Sequence, residues 1–184
     1  MNLYNEEETL RNIRSNDPAK QHKAFEQIVN YYGEKLYWQI RKMVLSHNDT
    51  NDILQNTYIK AWMNISLFRG EAKLSTWLYK IAINESITFL NKQRALHNIS
   101  MDNEDVFLAE KLESDSYFDG DEAQLKLQKA ILTLPEKQRL VFNMRYFDEI
   151  PYDEMSEIMG TSVGALKASY HHAVKKIENF LQKD

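Results

Sequence analysis

The sequence contains no cysteine among its 184 residues. Disulfide bonds, thiolate metal sites and thiol-based redox sensing are therefore excluded. Five glycines are too few for the glycine-rich loops that bind phosphates in nucleotide-dependent enzymes. No apolar run approaches the roughly 20 residues of a membrane span, and the N-terminus is acidic where a secretion signal needs a basic region and an apolar stretch. We therefore expect a soluble, cytoplasmic protein.

Catalytic motifs are missing as well. The sequence has none of the spacings HExxH, GxxxxGK[ST] or GxSxG, and no pair of carboxylates with a convincing catalytic spacing. His171 and His172 are adjacent, so on a helix they project about 100° apart and cannot chelate one metal ion as an i,i+4 pair could. We expect no enzyme activity, no cofactor, no metal ion and no small-molecule substrate.

Charge is distributed unevenly along the chain. The formal net charge is −4, from 23 basic and 27 acidic residues. Residues 1–94 hold 13 basic and 10 acidic side chains, residues 95–124 hold 1 and 9, and residues 125–184 hold 9 and 8. The excess acidity is thus confined to about thirty residues in the middle, and both flanks are mildly basic.

Hydrophobic periodicity predicts an all-α fold. Between residues 18 and 44, apolar side chains recur every three or four positions, with Asp17 as the N-cap and Pro18 at the first helical position. A second helix is predicted after a cap at Asp49 or Thr50, and a third helix follows it. The acidic middle shows no sustained period, which is typical of a surface linker.

The second half of the chain ends in a helix-turn-helix pattern. Gly160 is predicted to end a short helix in the left-handed conformation, and Ser162 or Thr161 to cap the last helix. We therefore expect two small helical domains joined by a flexible acidic linker.

The last helix carries small and polar residues on the face opposite its apolar side. Small residues would let the helix enter a DNA major groove, where methyl, hydroxyl and imidazole groups can contact base edges and flanking lysines suit phosphates. The alternative is a solvated amphipathic helix without function. The candidate DNA contacts are Ser162, Ala165, Lys167, Ala168, Ser169, His171, His172, Lys175 and Lys176.

A second candidate nucleic-acid surface lies around the start of the third helix. Aromatic faces, amides and basic groups together are what unstacked nucleotides require. Trp77 alone is more often a core residue, and that alternative stays open at this point. The candidate residues are Phe68, Arg69, Lys73, Thr76, Trp77, Lys80 and Asn84.

The second helix has a polar face beside a strongly apolar one. This face is either solvated or a docking face for a helix of another protein, and the sequence leaves both interpretations open. The candidate docking residues are Asp52, Ile53, Gln55, Asn56 and Lys60.

The order of these motifs resembles the extracytoplasmic-function (ECF) sigma factors of bacterial RNA polymerase, in the sigma-70 superfamily. The stretch DTNDILQNTYIKAW is similar to the region 2 motif that binds core polymerase. The stretch FRGEAKLSTWLYKIAINESITFLNKQR is similar to the part of region 2 that opens and reads the −10 element. The stretch from LPEKQRL to KKIENFL resembles region 4, which reads the −35 element.

The resemblance implies a sigma factor that directs core RNA polymerase to promoters and helps to melt them. Residues 1–94 would form region 2, residues 95–122 the acidic linker and residues 123–184 region 4. The implied partners are promoter DNA and the β′ clamp and β flap of core RNA polymerase. Because control by an anti-sigma factor is common in the family, the resemblance also implies a membrane-associated anti-sigma factor as a further partner. The alternative function is a stand-alone helix-turn-helix regulator that binds duplex DNA without polymerase.

The sequence also departs from the family pattern. Asn51 and Asn56 stand where the core-binding motif usually has acidic residues, so part of the charge contribution to polymerase docking is absent. Ser169 and His172 stand where the recognition helix often carries arginines. This second departure predicts fewer phosphate contacts and a different −35 base preference.

Overall fold

A computed structural model describes residues 4–97 and 122–182. These residues form helices and connecting turns without any β-strand, as the periodicity predicts. Residues 98–121, which hold most of the predicted acidic linker, lie outside the described residues. Within the described ranges, no helix has the length and apolar character of a membrane span. The α-helices are α1 (Glu6–Ile13), α2 (Pro18–Val44), α3 (His47–Asn64), α4 (Leu74–His97), α5 (Glu122–Leu132), α6 (Glu136–Tyr146), α7 (Tyr152–Met159) and α8 (Val163–Leu181), with a short 3₁₀ helix at Ile65–Leu67.

The long helix α2 begins as predicted. The side chain of Asp17 accepts hydrogen bonds from the backbone N–H groups of Ala19 and Lys20, at 3.0 and 3.4 Å. Pro18 occupies the first turn, where its missing N–H needs no partner. The predicted apolar stripe is buried, and burying one such side chain contributes about 1.5–3 kcal/mol. Its fully buried members are Ile28, Leu36, Ile40 and Val44.

Helix α3 begins earlier than the sequence predicts. The cap is neither Asp49 nor Thr50 but Ser46, whose side chain accepts a hydrogen bond from the N–H of Asp49 at 3.3 Å. Leu45 ends α2 in the left-handed conformation, with φ of 62°. The chain therefore turns within one residue, and Ser46 is the first side chain that can cap the new helix. Thr50 lies in the first turn, and its hydroxyl donates to the Ser46 carbonyl at 2.7 Å.

The predicted helix-turn-helix forms between α7 and α8. Gly160 ends α7 with φ of 61°, in the left-handed region that glycine adopts without strain. Ser162, not Thr161, caps α8 by accepting a hydrogen bond from the N–H of Ala165 at 3.3 Å. Met155 and Leu166 are fully buried behind the turn. These contacts set the angle at which α8 leaves the turn.

One hydrophobic core extends through both halves of the molecule. It includes Leu36 and Leu78 from the N-terminal unit (α1–α4) and Met144 and Leu166 from the C-terminal unit (α5–α8). Helix α4 packs against α7, and α2 packs against α6. A smaller core lies within the C-terminal unit alone. The two helical units therefore pack against each other, a relation that the sequence left open.

Candidate polymerase and nucleic-acid interfaces

The predicted polar face of α3 borders an apolar groove. Asp52, Gln55 and Asn56 are exposed on this face. Ile53 is only 2% exposed, so it anchors α3 in the core and cannot touch a partner as predicted. The α3 groove has a volume of about 470 Å³ and is lined by Phe25, Asn51, Leu54, Gln55, Tyr58, Ile59 and Trp62.

Aromatic rings form one wall of the α3 groove. The Trp62 ring lies 5.0 Å from that of Phe25 and 4.9 Å from that of His22, centroid to centroid. Trp62 is only partly buried, and Ile59 is 50% exposed. An apolar groove rimmed by amides and a carboxylate suits the apolar side chains of a partner helix.

Lys60 does not belong to this docking face, although the sequence analysis grouped it there. Its ammonium group pairs with the carboxylate of Glu85 on α4. It lines a second cleft, between α3 and α4, together with two of the candidate nucleic-acid residues. This α4 cleft has a volume of about 510 Å³ and is lined by Lys60, Asn64, Leu67, Trp77, Ile81, Asn84, Glu85 and Thr88.

Trp77 packs against the core and also lines the α4 cleft. The ring is partly buried, lies 5.4 Å from the Phe68 ring, and also lines the α4 cleft. Phe68 is 7% exposed, so it supports the indole from the core and is not itself available to DNA as predicted. Asn84 is exposed and lines the same cleft. An indole, an amide and a neutralised ion pair thus surround one opening, and an unstacked base requires such groups.

The remaining candidates around α4 fall into two groups. Lys80 and Arg69 are exposed, and Arg69 lies 3.9 Å from Glu71. Thr76 is 3% exposed, and Lys73 forms an ion pair with Glu154 of α7. The pKa of Lys73 is raised, first by its hydrogen bond to Glu154 and then by the charge of that carboxylate. The C-terminal unit thus engages both Lys73 and Thr76.

Helix α8 presents its predicted stripe to solvent. Leu166, Ala173 and Ile177 are buried on the other side of the helix, so burial follows the predicted period. Ser162 acts through its backbone-capping hydrogen bond, and the Lys167 ammonium lies 5.8 Å from the Tyr152 ring. Ser169 is partly buried, and the exposed candidates are Ser162, Ala165, Lys167, Ala168, His171, His172, Lys175 and Lys176.

Both halves of the chain match known protein families. Residues 28–96 match the family described as Sigma-70 region 2, and residues 124–177 match Sigma-70, region 4. The ECF RNA polymerase sigma factor SigW of Bacillus subtilis is 30% identical over 167 residues, which cover 86% of this chain and 89% of that protein. The chain belongs to the ECF RNA polymerase sigma factors. Members of this family direct RNA polymerase to promoters.

Other comparisons agree with this assignment. The ECF RNA polymerase sigma-E factor of Haemophilus influenzae is 30% identical over 168 residues, 87% of this sigma factor and 88% of that one. Two solved structures share the fold at 20% identity and a TM-score of 0.67. One is RpoE in complex with the anti-sigma factor NepR from Bartonella quintana, over 88% of this chain and 99% of that chain. The other is CnrH in complex with the cytosolic domain of CnrY, over 96% of both chains.

The family matches follow the two structural units of the sigma factor. The region 2 match covers α2 from Ile28 onward, all of α3 and nearly all of α4, with the α4 cleft and every residue of the α3 groove except Phe25. The region 4 match covers most of α5 to α8, with the helix-turn-helix. The matched relatives are polymerase sigma factors over nearly nine-tenths of their length, which disfavours the alternative of a stand-alone regulator.

Several cleft residues of the sigma factor escaped the sequence analysis. Ile81 lies four residues after Trp77, and Thr88 lies four residues after Asn84, so each shares a helix face with a predicted residue. Helical periodicity could therefore have found them. Asn64 and Leu67 come from the end of α3 and the 3₁₀ helix. No local pattern brings these two residues to α4, because only the packing of α3 on α4 does so.

Proposed function

We propose that this sigma factor guides core RNA polymerase to its promoters in the cytoplasm through three surfaces. The α3 groove docks on the β′ clamp, the α4 cleft holds bases of the opened −10 strand, and the outer face of α8 contacts the −35 element. The observation that carries the proposal is the convergence of Lys60, Trp77 and Asn84 on one cleft. A regulator that binds only duplex DNA has no use for such a cleft.

The α4 cleft suits a base that has left the helical stack. Base–aromatic stacking contributes about 1–3 kcal/mol per base, and opening duplex DNA costs about 1.4 kcal/mol per stacking step. A few contacts of this kind are therefore enough to favour local melting. Trp77 supplies the stacking face, the Asn84 amide can bond a base edge, and exposed Lys80 can neutralise a nearby phosphate.

The net charge of −4 fits a factor that binds promoters as part of a larger complex. Phosphate contacts by lysine and arginine supply most non-specific DNA affinity, and polymerase can provide them. We propose that the acidic linker follows a polymerase channel built for nucleic acid. The 24 residues between α4 and α5 (98–121) can reach at most about 80 Å, and two turns of duplex span about 70 Å.

The partners that we propose are core RNA polymerase, through its β′ clamp and β flap, promoter DNA and an anti-sigma factor. Support for the anti-sigma factor comes from the two structural neighbours, whose structures were solved in complex with NepR and with CnrY. The candidate surfaces are binding surfaces, and we assign the chemistry of transcription to the polymerase.

Run-off transcription with purified core polymerase on genomic fragments tests this function. The wild-type chain is expected to direct specific transcripts, and an Asp52→Ala/Gln55→Ala variant to bind core polymerase about tenfold more weakly. The estimate assumes that each of the two side chains forms one hydrogen bond to polymerase, and that losing each bond weakens the binding free energy by about 0.5–1.5 kcal/mol. Both side chains are exposed, so the thermal unfolding midpoint should not change.

The matched control for the docking variant is Asn30→Ala/Glu34→Ala, which removes an amide and a carboxylate from exposed positions of α2. The control should bind core polymerase like the wild type. Equal polymerase affinity of the docking variant and the control would contradict the assignment of α3.

The −35 preference is expected to depend on Ser169 and His172. Replacing either with alanine should change discrimination at one or two base pairs by about 1–3 kcal/mol, because base-edge contacts carry specificity. Lys167→Ala and Lys175→Ala should instead weaken binding to all DNA sequences alike. Each should also reduce by about 1 the slope of the logarithm of the binding constant against the logarithm of the salt concentration. Binding of the polymerase complex to single-base −35 variants measures both effects. An unaltered preference profile in the Ser169 and His172 variants would show that the groove-facing side of α8 is wrongly assigned.

A further inference from the structure

Arg14 connects the N-terminal helix of the sigma factor to the loop that precedes α4. This loop, residues 68–73, follows the 3₁₀ helix Ile65–Leu67 and is called the α4 loop below. The Arg14 guanidinium donates a hydrogen bond from Nη2 to the backbone carbonyl of Phe68 at 3.1 Å, across 54 positions of the chain. A charged side chain of the α1 end thus holds the first residue of the α4 loop.

The same guanidinium group borders the turn of the α4 loop. Gly70 has φ of 79°, in the left-handed region that glycine adopts without strain. A Cβ atom at this position would lie 3.9 Å from Nη2 of Arg14. Two of the candidate −10 residues, Arg69 and Lys73, belong to this loop. Arg14 therefore lies beside the backbone that presents them.

The backbone that carries Arg14 is itself anchored. Arg14 is the C-cap of α1, and its N–H donates to the Leu10 carbonyl at 3.2 Å. Ile13 is 4% exposed and belongs to the core. On the other side, the Ser15 carbonyl accepts a hydrogen bond from the Gln21 side chain at 2.7 Å. The guanidinium thus extends from a fixed point toward the loop.

The carbonyl that Arg14 holds belongs to the residue beneath the α4 cleft. Phe68 is 7% exposed, and its ring lies 5.4 Å from the Trp77 ring at an angle of 48°. The N–H of Phe68 is also bonded, to the Ile65 carbonyl at 3.1 Å. With both polar backbone groups held, the Phe68 ring has a fixed position under the indole. A continuous set of contacts therefore runs from α1 to the stacking face of the cleft.

We propose that Arg14 is a positioning residue for the −10 strand. It holds the α4 loop so that Phe68 keeps the Trp77 indole in the orientation that stacks on an opened base. This role of Arg14 rests on the proposed −10 function of Trp77. It gives α1 a part in promoter opening, although α1 lies outside residues 28–96, which match Sigma-70 region 2.

Fluorine NMR of the full-length chain tests the positioning without DNA. The sequence has three tryptophans, so 5-fluorotryptophan gives one signal each for Trp38, Trp62 and Trp77, assigned by replacing each residue in turn. In Arg14→Ala the Trp77 signal should shift or broaden. The signals of Trp38, which is 52% exposed on α2, and of Trp62 in the α3 groove should stay in place.

Arg11→Ala is the matched control for Arg14→Ala. It removes the same side chain from α1, where Arg11 is 76% exposed and pairs with Glu7 at 3.6 Å. The control should leave all three fluorine signals unchanged. Arg14→Lys should return the Trp77 signal part of the way, because an ammonium group can also donate to a carbonyl. Identical Trp77 signals in Arg14→Ala and Arg11→Ala would overturn the proposal.

A second measurement follows the effect on DNA in the polymerase holoenzyme. The probe is a fluorescein-labelled single strand that covers the −10 element of a promoter found by run-off transcription. Arg14→Ala should weaken binding of this strand about two- to tenfold, the range for one lost hydrogen bond, and Arg14→Lys should regain part of the loss. Arg11→Ala should bind like the wild type. Equal binding by Arg14→Ala and Arg11→Ala would refute the role of Arg14 in strand binding.

Salt dependence separates positioning from a direct phosphate contact. A positioning residue releases no counterions from DNA, so the slope of the logarithm of the binding constant against that of the salt concentration should be the same in Arg14→Ala and Arg11→Ala. A slope reduced by about 0.7 in Arg14→Ala alone would indicate one lost phosphate contact on a single strand. That result would replace positioning by direct binding.

Lys80→Ala/Asn84→Ala distinguishes failure of this proposal from failure of the proposed function. If the double variant weakens binding of the −10 strand and Arg14→Ala does not, the role of Arg14 alone is wrong. If neither variant weakens it, the −10 function of the α4 cleft fails as well. The fluorine signals require no promoter, so an unmoved Trp77 signal refutes the positioning whatever the DNA result.

Discussion

A Lys80→Ala/Asn84→Ala variant is expected to lose most transcription from closed duplex promoters, by roughly 5- to 150-fold. The estimate follows from the loss of about 1–3 kcal/mol of contacts to the opened strand, with tenfold in rate for each 1.4 kcal/mol. Both side chains are exposed on α4, so the fold should survive. Run-off transcription with core polymerase on linear duplex templates measures the loss.

A template with a pre-opened, mismatched −10 bubble distinguishes melting from strand capture. Much of the lost activity should return on this template if the defect lies in melting, and less should return if strand capture is lost. Lys92→Ala is the matched control, because it removes one exposed lysine near the other end of α4. Wild-type activity of the double variant on closed duplex would refute the assignment of Lys80 and Asn84.

Leu78→Ala is expected to lower the free energy of unfolding by about 2–5 kcal/mol. Leu78 is fully buried in the core that extends through both units, so truncation removes apolar contacts and leaves a cavity. Ile59→Ala is the control, because Ile59 is 50% exposed in the α3 groove. Its effect on stability should stay within about 0.5 kcal/mol, whereas it should weaken binding to core polymerase. Urea unfolding and polymerase-binding titrations separate the two effects.

Equal destabilisation by Leu78→Ala and Ile59→Ala would contradict the packing of α3 and α4 described above. Stability loss without any change in polymerase binding for Ile59→Ala would place the docking surface elsewhere on region 2.

Local features of the chain allowed most of the helices to be predicted. The burial of Ile28, Leu36 and Ile40 follows from spacing alone, because a helix returns to the same face every three or four residues. Asp17 and Ser162 act as predicted caps, since a capping side chain bonds N–H groups only two or three residues away. Gly160 follows the same logic, because a left-handed turn favours a residue without Cβ.

The cap of α3 shows where local signals compete. Ser46, Asp49 and Thr50 are all favourable N-cap residues by type. Residue type alone therefore did not identify which of them begins α3. The left-handed turn at Leu45 selected Ser46, because α2 ends at this turn and the next residue is already the N-cap of α3. A leucine in that conformation is uncommon, and the sequence contains no sign of it.

Tertiary packing decided the remaining properties of the candidate sites. Lys60 faces the α4 cleft because α3 packs on α4 and brings Glu85 within reach. The contact of Glu154 with Lys73 joins residues 81 positions apart, and no periodic pattern extends across such a distance. Helical periodicity reports which side of a helix is apolar, but it does not report which other helix will cover that side. The family and the helices were therefore accessible from the sequence, whereas the shapes of the clefts and the contact between the two units arose only when the helices packed.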